Sequence, residues 1–326
     1  MTKVLGLGRL ALLAVGTALV AVVAVLVIEP RGWTTGVEVT HGPPITGAVP
    51  APTTDPEILF RSPDGTIVIP NPQANVDRTD RFDVTARVSG DRSVEVTEEI
   101  VQHFATARHG IERTIPLHDA AGDHAMRSIE VSTDDGTPGQ VQLTDGPGFD
   151  GITVRIGDPD RTITGVHRYR LIYVLENVVH PPRPAGEEEL GATLFASPFG
   201  SVSTTTAPST DGPVERLALD AFTDWRQQVY GATFTVIGPD GSVSQACYQE
   251  VGSYAVGCAS VTPTPDGATF VASTPVAPYT ELTVQVDWPE GTFGAAVVDG
   301  PERATWPVRL GAVGLALLGV VVVAFE

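Results

Sequence analysis

The chain has 326 residues, and its 39 Asp and Glu against 20 Lys and Arg give a formal charge of −19. That sign disfavours a nucleic-acid backbone or an anionic lipid headgroup as the main partner. With 34 glycines, 27 prolines and 18% charged residues, the composition points to turn-rich β structure more than to a helical bundle. The length suffices for a core that needs neither metals nor many disulfides.

The first element is apolar. Behind Lys3 and Arg9, Leu10 to Ile28 carries no charge, and at ~1.5 Å per residue the run nearly crosses a ~30 Å hydrocarbon layer. It exceeds a secretory h-region and meets no small-x-small cleavage site, so residues 1–28 read as an uncleaved signal anchor, with a cleaved signal peptide as the rival. Lys3 and Arg9 then put the N-terminus in the cytoplasm and everything after Glu29 outside. Residues 29–77, rich in Pro, Gly and Thr, read as a stalk.

A first β-sandwich-like region is expected over 78–180. Phe82, Val84, Ala86 and Val88 alternate with polar residues in Arg81 to Val88. The Ser89-Gly90-Asp91 turn leads into Val94, Val96, Ile100 and Phe104 on one face of the next strand. Gly151 to Ile156 and Val166 to Leu175 are further strands. Residues 181–213 read as a linker, and 214–295 as a second β region. There Glu215 to Val229 fits a helix or a strand equally, while Ala232 to Ile237 and Ala268 to Ser273 read as strands. Glu281 to Trp288 alternates strictly, predicting one buried and one wet face. Pro-Asp-Gly triplets at 63–65, 239–241 and 265–267 supply turns.

The last element, 306–325, reads as a returning transmembrane helix, with Trp306 in an interfacial belt and Arg309 snorkelling to the outer headgroups. The chain stops at Glu326, where that helix would emerge, and a shortened or partial chain is the expectation. The fold class expected is therefore mainly β, with one or two antiparallel β-sandwich-like extracellular domains flanked by N- and C-terminal transmembrane helices. Residues 29–305 would lie outside the plasma membrane.

The two cysteines carry a sharper expectation. If Gly252-Ser253 is a two-residue hairpin loop, Val251 pairs with Tyr254 and Cys247 falls opposite Cys258. Opposed Cα atoms lie ~4.5–5.5 Å apart in an antiparallel ladder, within disulfide reach. Closing so short a loop stabilises the fold by roughly 2–3 kcal/mol. The rival is a reduced buried pair.

Candidate chemistry is sparse. His103, His109, His118 and His124 cluster in sequence, but none has the spacing of His-Glu-x-x-His or of a Cys/His set. No Gly-x-Ser-x-Gly elbow, Walker loop or dinucleotide fingerprint occurs. No metal or cofactor is expected. The stretch "HGIERTIPLHD" is better explained structurally. Glu98 shares the inward face with Val96 and Ile100, where an unpaired carboxylate would be costly to bury. Arg113, in what reads as an irregular segment after that strand, offers a guanidinium fork. A Glu98–Arg113 pair is expected to pin that segment to the sheet, with Gly110 allowing a bend and Pro116 ending it.

Several segments resemble the YciQ-like family of predicted bacterial membrane proteins. They are "VEVTEEIVQHF", "HGIERTIP", "VRIG", "GVHRYRLIYVL", "CYQEVGSYAVGC" and "ELTVQVDWPEGTF", spanning Arg81 to Phe293. The resemblance implies an extracellular domain of no established function, followed by a membrane helix and a cytoplasmic tail. Two function classes follow. One is a non-enzymatic envelope module that holds lipid through its two helices and binds an envelope protein or polymer. The other is an envelope hydrolase acting on wall polymers through acids such as Glu98, Glu99 or Asp287.

Overall fold

A computed structural model describes residues 33–47, 58–62, 65–69, 76–119, 122–146, 151–184, 203–206, 212–222, 224–251 and 254–295. All fall in one compact unit, Trp33–Pro301. The two apolar runs and much of the expected linker lie outside the described residues, among which no helix is long and apolar enough to cross a membrane.

The described residues are strands and turns. In chain order the strands are β1 (Glu38–His41), β2 (Ile58–Ser62), β3 (Gly65–Ile69), β4 (Arg78–Val88), β5 (Val94–Arg108), β6 (Gly110–Pro116), β7 (His118–Asp119) and β8 (Gly122–Asp123). There follow β9 (Ala125–Thr133), β10 (Val141–Asp145), β11 (Gly151–Gly157), β12 (Ile163–Glu176), β13 (Val179–Arg183), β14 (Ser203–Thr206) and β15 (Val214–Ala221). The last seven are β16 (Gln228–Val229), β17 (Ala232–Ile237), β18 (Ser244–Val251), β19 (Tyr254–Gly257), β20 (Ser260–Thr264), β21 (Gly267–Val271) and β22 (Leu282–Pro289).

Three sheets enclose the core. A nine-stranded sheet runs β1-β9-β12-β5-β4-β17-β21-β20, with β16 also on β4. A three-stranded sheet, β10-β11-β6, and a six-stranded one, β13-β15-β22-β18-β14 with β19 on β18, complete the body. The period-2 patterns explain the burial: Phe82, Val84, Ala86 and Val88 of β4 and Val94, Val96, Ile100 and Phe104 of β5 all point inward. Phe82 packs edge-on against Phe222 and Trp225, with ring centroids 4.9 and 5.2 Å away.

The structure differs from the sequence expectation in several places. The large sheet is mixed, not antiparallel, because β17 and β16 run parallel to β4 and β1 parallel to β9. Strands on both sides of the expected linker share this sheet, since β17 pairs Ala232 with Phe82. Part of the expected stalk is strapped to the body: β1 lies on β9, and Gly42 and Ile45 donate backbone hydrogen bonds to Val131 and Thr133. The ambiguous segment after Pro213 begins as strand β15. The wet face expected for β22 is absent, for Thr283, Gln285 and Asp287 are buried between β15 and β18. The segment carrying Arg113 is regular strand β6, paired with β11 throughout. A charged residue in an inward slot between Ile111 and Ile115 hid its alternation.

Candidate functional site

A buried ion pair lies where the three sheets meet. Glu98 on β5 and Arg113 on β6 occupy inward slots that alternation would give to apolar residues, and both are almost fully buried. Arg113 Nη2 donates to Glu98 Oε1 at 2.8 Å and Nε to Oε2 at 3.0 Å, while Nη1 donates to the Thr114 carbonyl. Tyr173 of β12 donates its hydroxyl to Glu98 Oε1 at 2.8 Å. The Arg113 guanidinium also sits 5.7 Å from the centre of the Phe82 ring.

Each group's protonation follows from these neighbours. Burial works against the Arg113 charge, but Glu98 and Tyr173 outweigh it and raise the guanidinium above its ordinary value. Burial first, and then the Glu98 charge, push the Tyr173 phenol well above its usual range, so it stays a neutral donor. Gly110 and Gly157 set how closely β6 and β11 approach. They pair directly, and a Cβ on either would meet a carbonyl oxygen of the facing strand at 1.9 Å. Gly110 therefore permits a close strand approach, and Pro116 is the last residue of the strand.

A cavity of ≈ 30 Å³ reaches this triad. Glu98, Arg113, Tyr173, His118, His124 and Asp220 supply its polar lining, with Val84, Val96, Ile115 and Phe234 among the apolar walls. Its volume admits about one or two waters. His124 Nδ1 donates to the Asn177 carbonyl at 2.9 Å, His118 Nδ1 lies 2.7 Å from Asp123, and Asp220 accepts from Thr283 at 2.5 Å.

The structure separates the other residues singled out in the sequence. His103 lies on β5 facing away from the inward triad, and His109 sits at the start of β6 with Nδ1 on the Asp158 and Arg161 carbonyls. No cluster of three or more potential metal ligands occurs among the described residues. Glu99 projects from the opposite face to Glu98 and pairs with Arg170 at 2.7 Å. Asp287 is buried against Arg216 at 2.8 Å and accepts from Ser244 at 2.6 Å. Cys247 and Cys258 are joined as a disulfide with Cα atoms 5.6 Å apart. Val251 faces Tyr254 in the β18–β19 register.

Sequence reasoning missed two arginine sites, one buried at Arg92 and one half-buried at Arg168. Arg92, at the β4–β5 turn with φ of 70°, donates to the carbonyls of Val179, His180 and Gly294 and to Glu215. Arg168 reaches the carbonyls of Ile45 and Gly47 at 3.2 and 2.9 Å. Neither leaves a periodic signature, because their acceptors, backbone carbonyls and for Arg92 also the Glu215 carboxylate, lie far away in sequence.

A search of curated proteins found no match. Among solved structures, an M1 zinc metallopeptidase from Deinococcus radiodurans is similar at 12% identity and a TM-score of 0.30, covering 64% of this chain and 42% of that one. Yeast LTA4 hydrolase in complex with bestatin is similar at 9% identity and a TM-score of 0.33, covering 64% of this chain and 28% of that one. This chain thus spans less than half the length of either. The family of predicted membrane proteins described as the DUF2207 N-terminal domain matches residues 78–288, and the chain belongs to it.

Proposed function

We propose that the chain is a membrane-anchored, extracellular β module of the bacterial cell envelope that binds or braces another envelope component and performs no catalysis. The observation that carries this reading is the state of the three acids best placed for chemistry. Glu98, Glu99 and Asp287 are each held by an arginine, and the cavity that reaches Glu98 has room for little more than water. A hydrolase for wall polymers would need a carboxylate pair flanking a groove that takes a sugar chain, which this cavity is too small to do. The Cys247–Cys258 disulfide supports an oxidising exterior, and family membership supports a membrane location.

Lys3 is the only lysine in the chain, which gives a direct test of topology. An amine reagent that cannot cross the membrane is applied to intact cells making either the wild type or Thr262→Lys, placed on the exposed strand β20. The variant should be labelled and the wild type left unmodified. Labelling of neither before lysis, and of both after it, would overturn the placement.

A further inference from the structure

The turn between β9 and β10 ties together segments that are distant in sequence. Within it the Thr137 amide donates to the Asp134 carbonyl at 3.1 Å. Asp134 meets Ile45 of the strap, residues 38–47, in an isolated parallel bridge. Arg168, whose guanidinium holds the carbonyls of Ile45 and Gly47, lies 3.6 Å from Asp134 Oδ2. His41 of β1 donates from Nε2 to the Gly139 carbonyl at 3.1 Å. Whatever fixes this turn therefore helps to hold the strap.

At the centre of the turn three polar contacts in a row compete for protons. Thr137 Oγ1 lies 2.5 Å from Asp134 Oδ1 and 2.5 Å from His167 Nδ1, while His167 Nε2 lies 3.0 Å from the Thr164 carbonyl. An ionised carboxylate and a carbonyl only accept, and a hydroxyl has a single proton to give. Nε2 must therefore carry a proton for Thr164. If Thr137 gives its proton to Asp134, Nδ1 must donate to the hydroxyl, and the ring then holds both protons and a positive charge. A neutral ring leaves one proton for two contacts, so either Asp134 or Nδ1 loses its partner. Only the imidazolium completes all three contacts at once, while Asp134 Oδ1 also accepts from the Arg168 amide at 3.2 Å.

We propose that Asp134, Thr137 and His167 form a protonation-dependent latch, which closes the turn on the strap while His167 is charged and loosens it when His167 is neutral. Among the groups around it, Arg168 and Arg161 keep their charge throughout, the latter donating to the Gly136 carbonyl at 2.8 Å. Asp135, Asp158 and Asp160 place carboxylates on this turn and on the 158–161 turn. On β5 the residue opposite His167 is the uncharged Gln102, and the Phe104 ring lies 5.8 Å from the imidazole. His41 and His109 each meet carbonyls through one ring nitrogen, which a neutral tautomer serves as well as a charged one. Because the folded turn is complete only with the charged ring, its hold is present at low pH and is lost as pH rises. Loosening uncovers β9, whose edge β1 covers.

The test is hydrogen exchange of the full chain in detergent micelles at about pH 5 and about pH 8, expressed as protection factors so that the intrinsic pH dependence of exchange cancels. The amides of Gly42 and Ile45 donate to Val131 and Thr133. They should be protected at least about fivefold less at the higher pH, while those of β4 and β5 keep their protection. His167→Gln keeps a donor for the Thr164 carbonyl but cannot titrate, and Thr137→Val removes the shared hydroxyl. Each should flatten the difference to within about twofold, with the β4 and β5 amides reporting that the variant is folded. His41→Gln should retain the wild-type difference. Equal strap protection at both pH values in the wild type overturns the latch whether or not the variants fold. So does a difference that survives in His167→Gln or Thr137→Val, and a difference lost in His41→Gln would assign the dependence to His41 instead.

Discussion

Glu98 and Arg113 meet where water barely reaches, so their energetics turn on desolvation more than on attraction. Removing one partner of a buried pair leaves an uncompensated charge and costs about 3–5 kcal/mol, whereas replacing both with apolar side chains of similar volume is often neutral. Arg113→Met is therefore expected to lower the Tm by on the order of 10 °C, read by tryptophan fluorescence of the full chain in micelles. Glu98→Met/Arg113→Met should regain most of that loss, falling short by about 1–2 kcal/mol because Tyr173 then lacks its acceptor. A double variant no better than the single would show that the pair contributes more than mutual neutralisation. Asp83 poses the opposite case. Burial raises its carboxyl pKa, with Glu99 adding to the rise and Arg81 and Thr233 opposing it. A carboxyl with a folded pKa above the unfolded value of ~3.9 costs stability while ionised, and that cost disappears as pH falls below both values. Asp83→Asn should accordingly raise the urea midpoint at pH 7 and leave it unchanged near pH 3. A variant that is less stable at pH 7 would show that the Arg81 contact outweighs burial. The Glu98–Arg113 pairing was legible in the sequence because a carboxylate interrupted an apolar face and demanded a partner nearby. Arg92 and Arg168 were not, since their acceptors, mostly backbone carbonyls, lie far away in sequence and leave no local pattern.

At the scale of elements, alternation made the strands legible wherever one face is dry and the other wet. β17 falls on Ala232 to Ile237 as its pattern predicts, and β4, β5, β11 and β12 extend a few residues beyond theirs. The rule failed where a strand is central and covered on both sides, as with β22, whose polar positions satisfy one another by ion pair and hydrogen bond instead of meeting solvent. It failed again for β1, which buries none of its side chains and is held through its backbone. Arg168 fastens the segment after β1 by donating to the carbonyls of Ile45, Thr46 and Gly47, while Asp134 anchors Arg168 by accepting from its backbone amide at 3.2 Å. Arg168→Ala should leave the β4, β5 and β12 amides protected from hydrogen exchange while residues 38–47 exchange at least tenfold faster. Unchanged protection at 42–47 would mean that the β1–β9 ladder alone holds the strap.

Across the whole molecule the decisive connection is β17 against β4, which joins Phe82 to Ala232 and so closes the large sheet with strands from both sides of residues 181–213. No local pattern announces such a pairing, because register between distant strands is set by which faces must be buried together and by the turns that deliver them. The same connection makes the halves interdependent. Without β17, β20 and β21, strand β4 would present an unpaired edge, and the inward face carrying Phe82 and Val84 would lose Phe234, Val236 and Phe270 from its cover. A chain ending at residue 180 is therefore expected to collapse without fixed packing: strand content by far-UV circular dichroism, little near-UV signal and rapid proteolysis. The full chain should unfold from its β body in one cooperative transition, with the environments of Trp225 and Trp288 changing together. Both tryptophans are buried, the first against β4 and the second on β22 near Gly238. Two resolved transitions, or a natively packed fragment 1–180, would mean that the sheet joins two domains that fold independently.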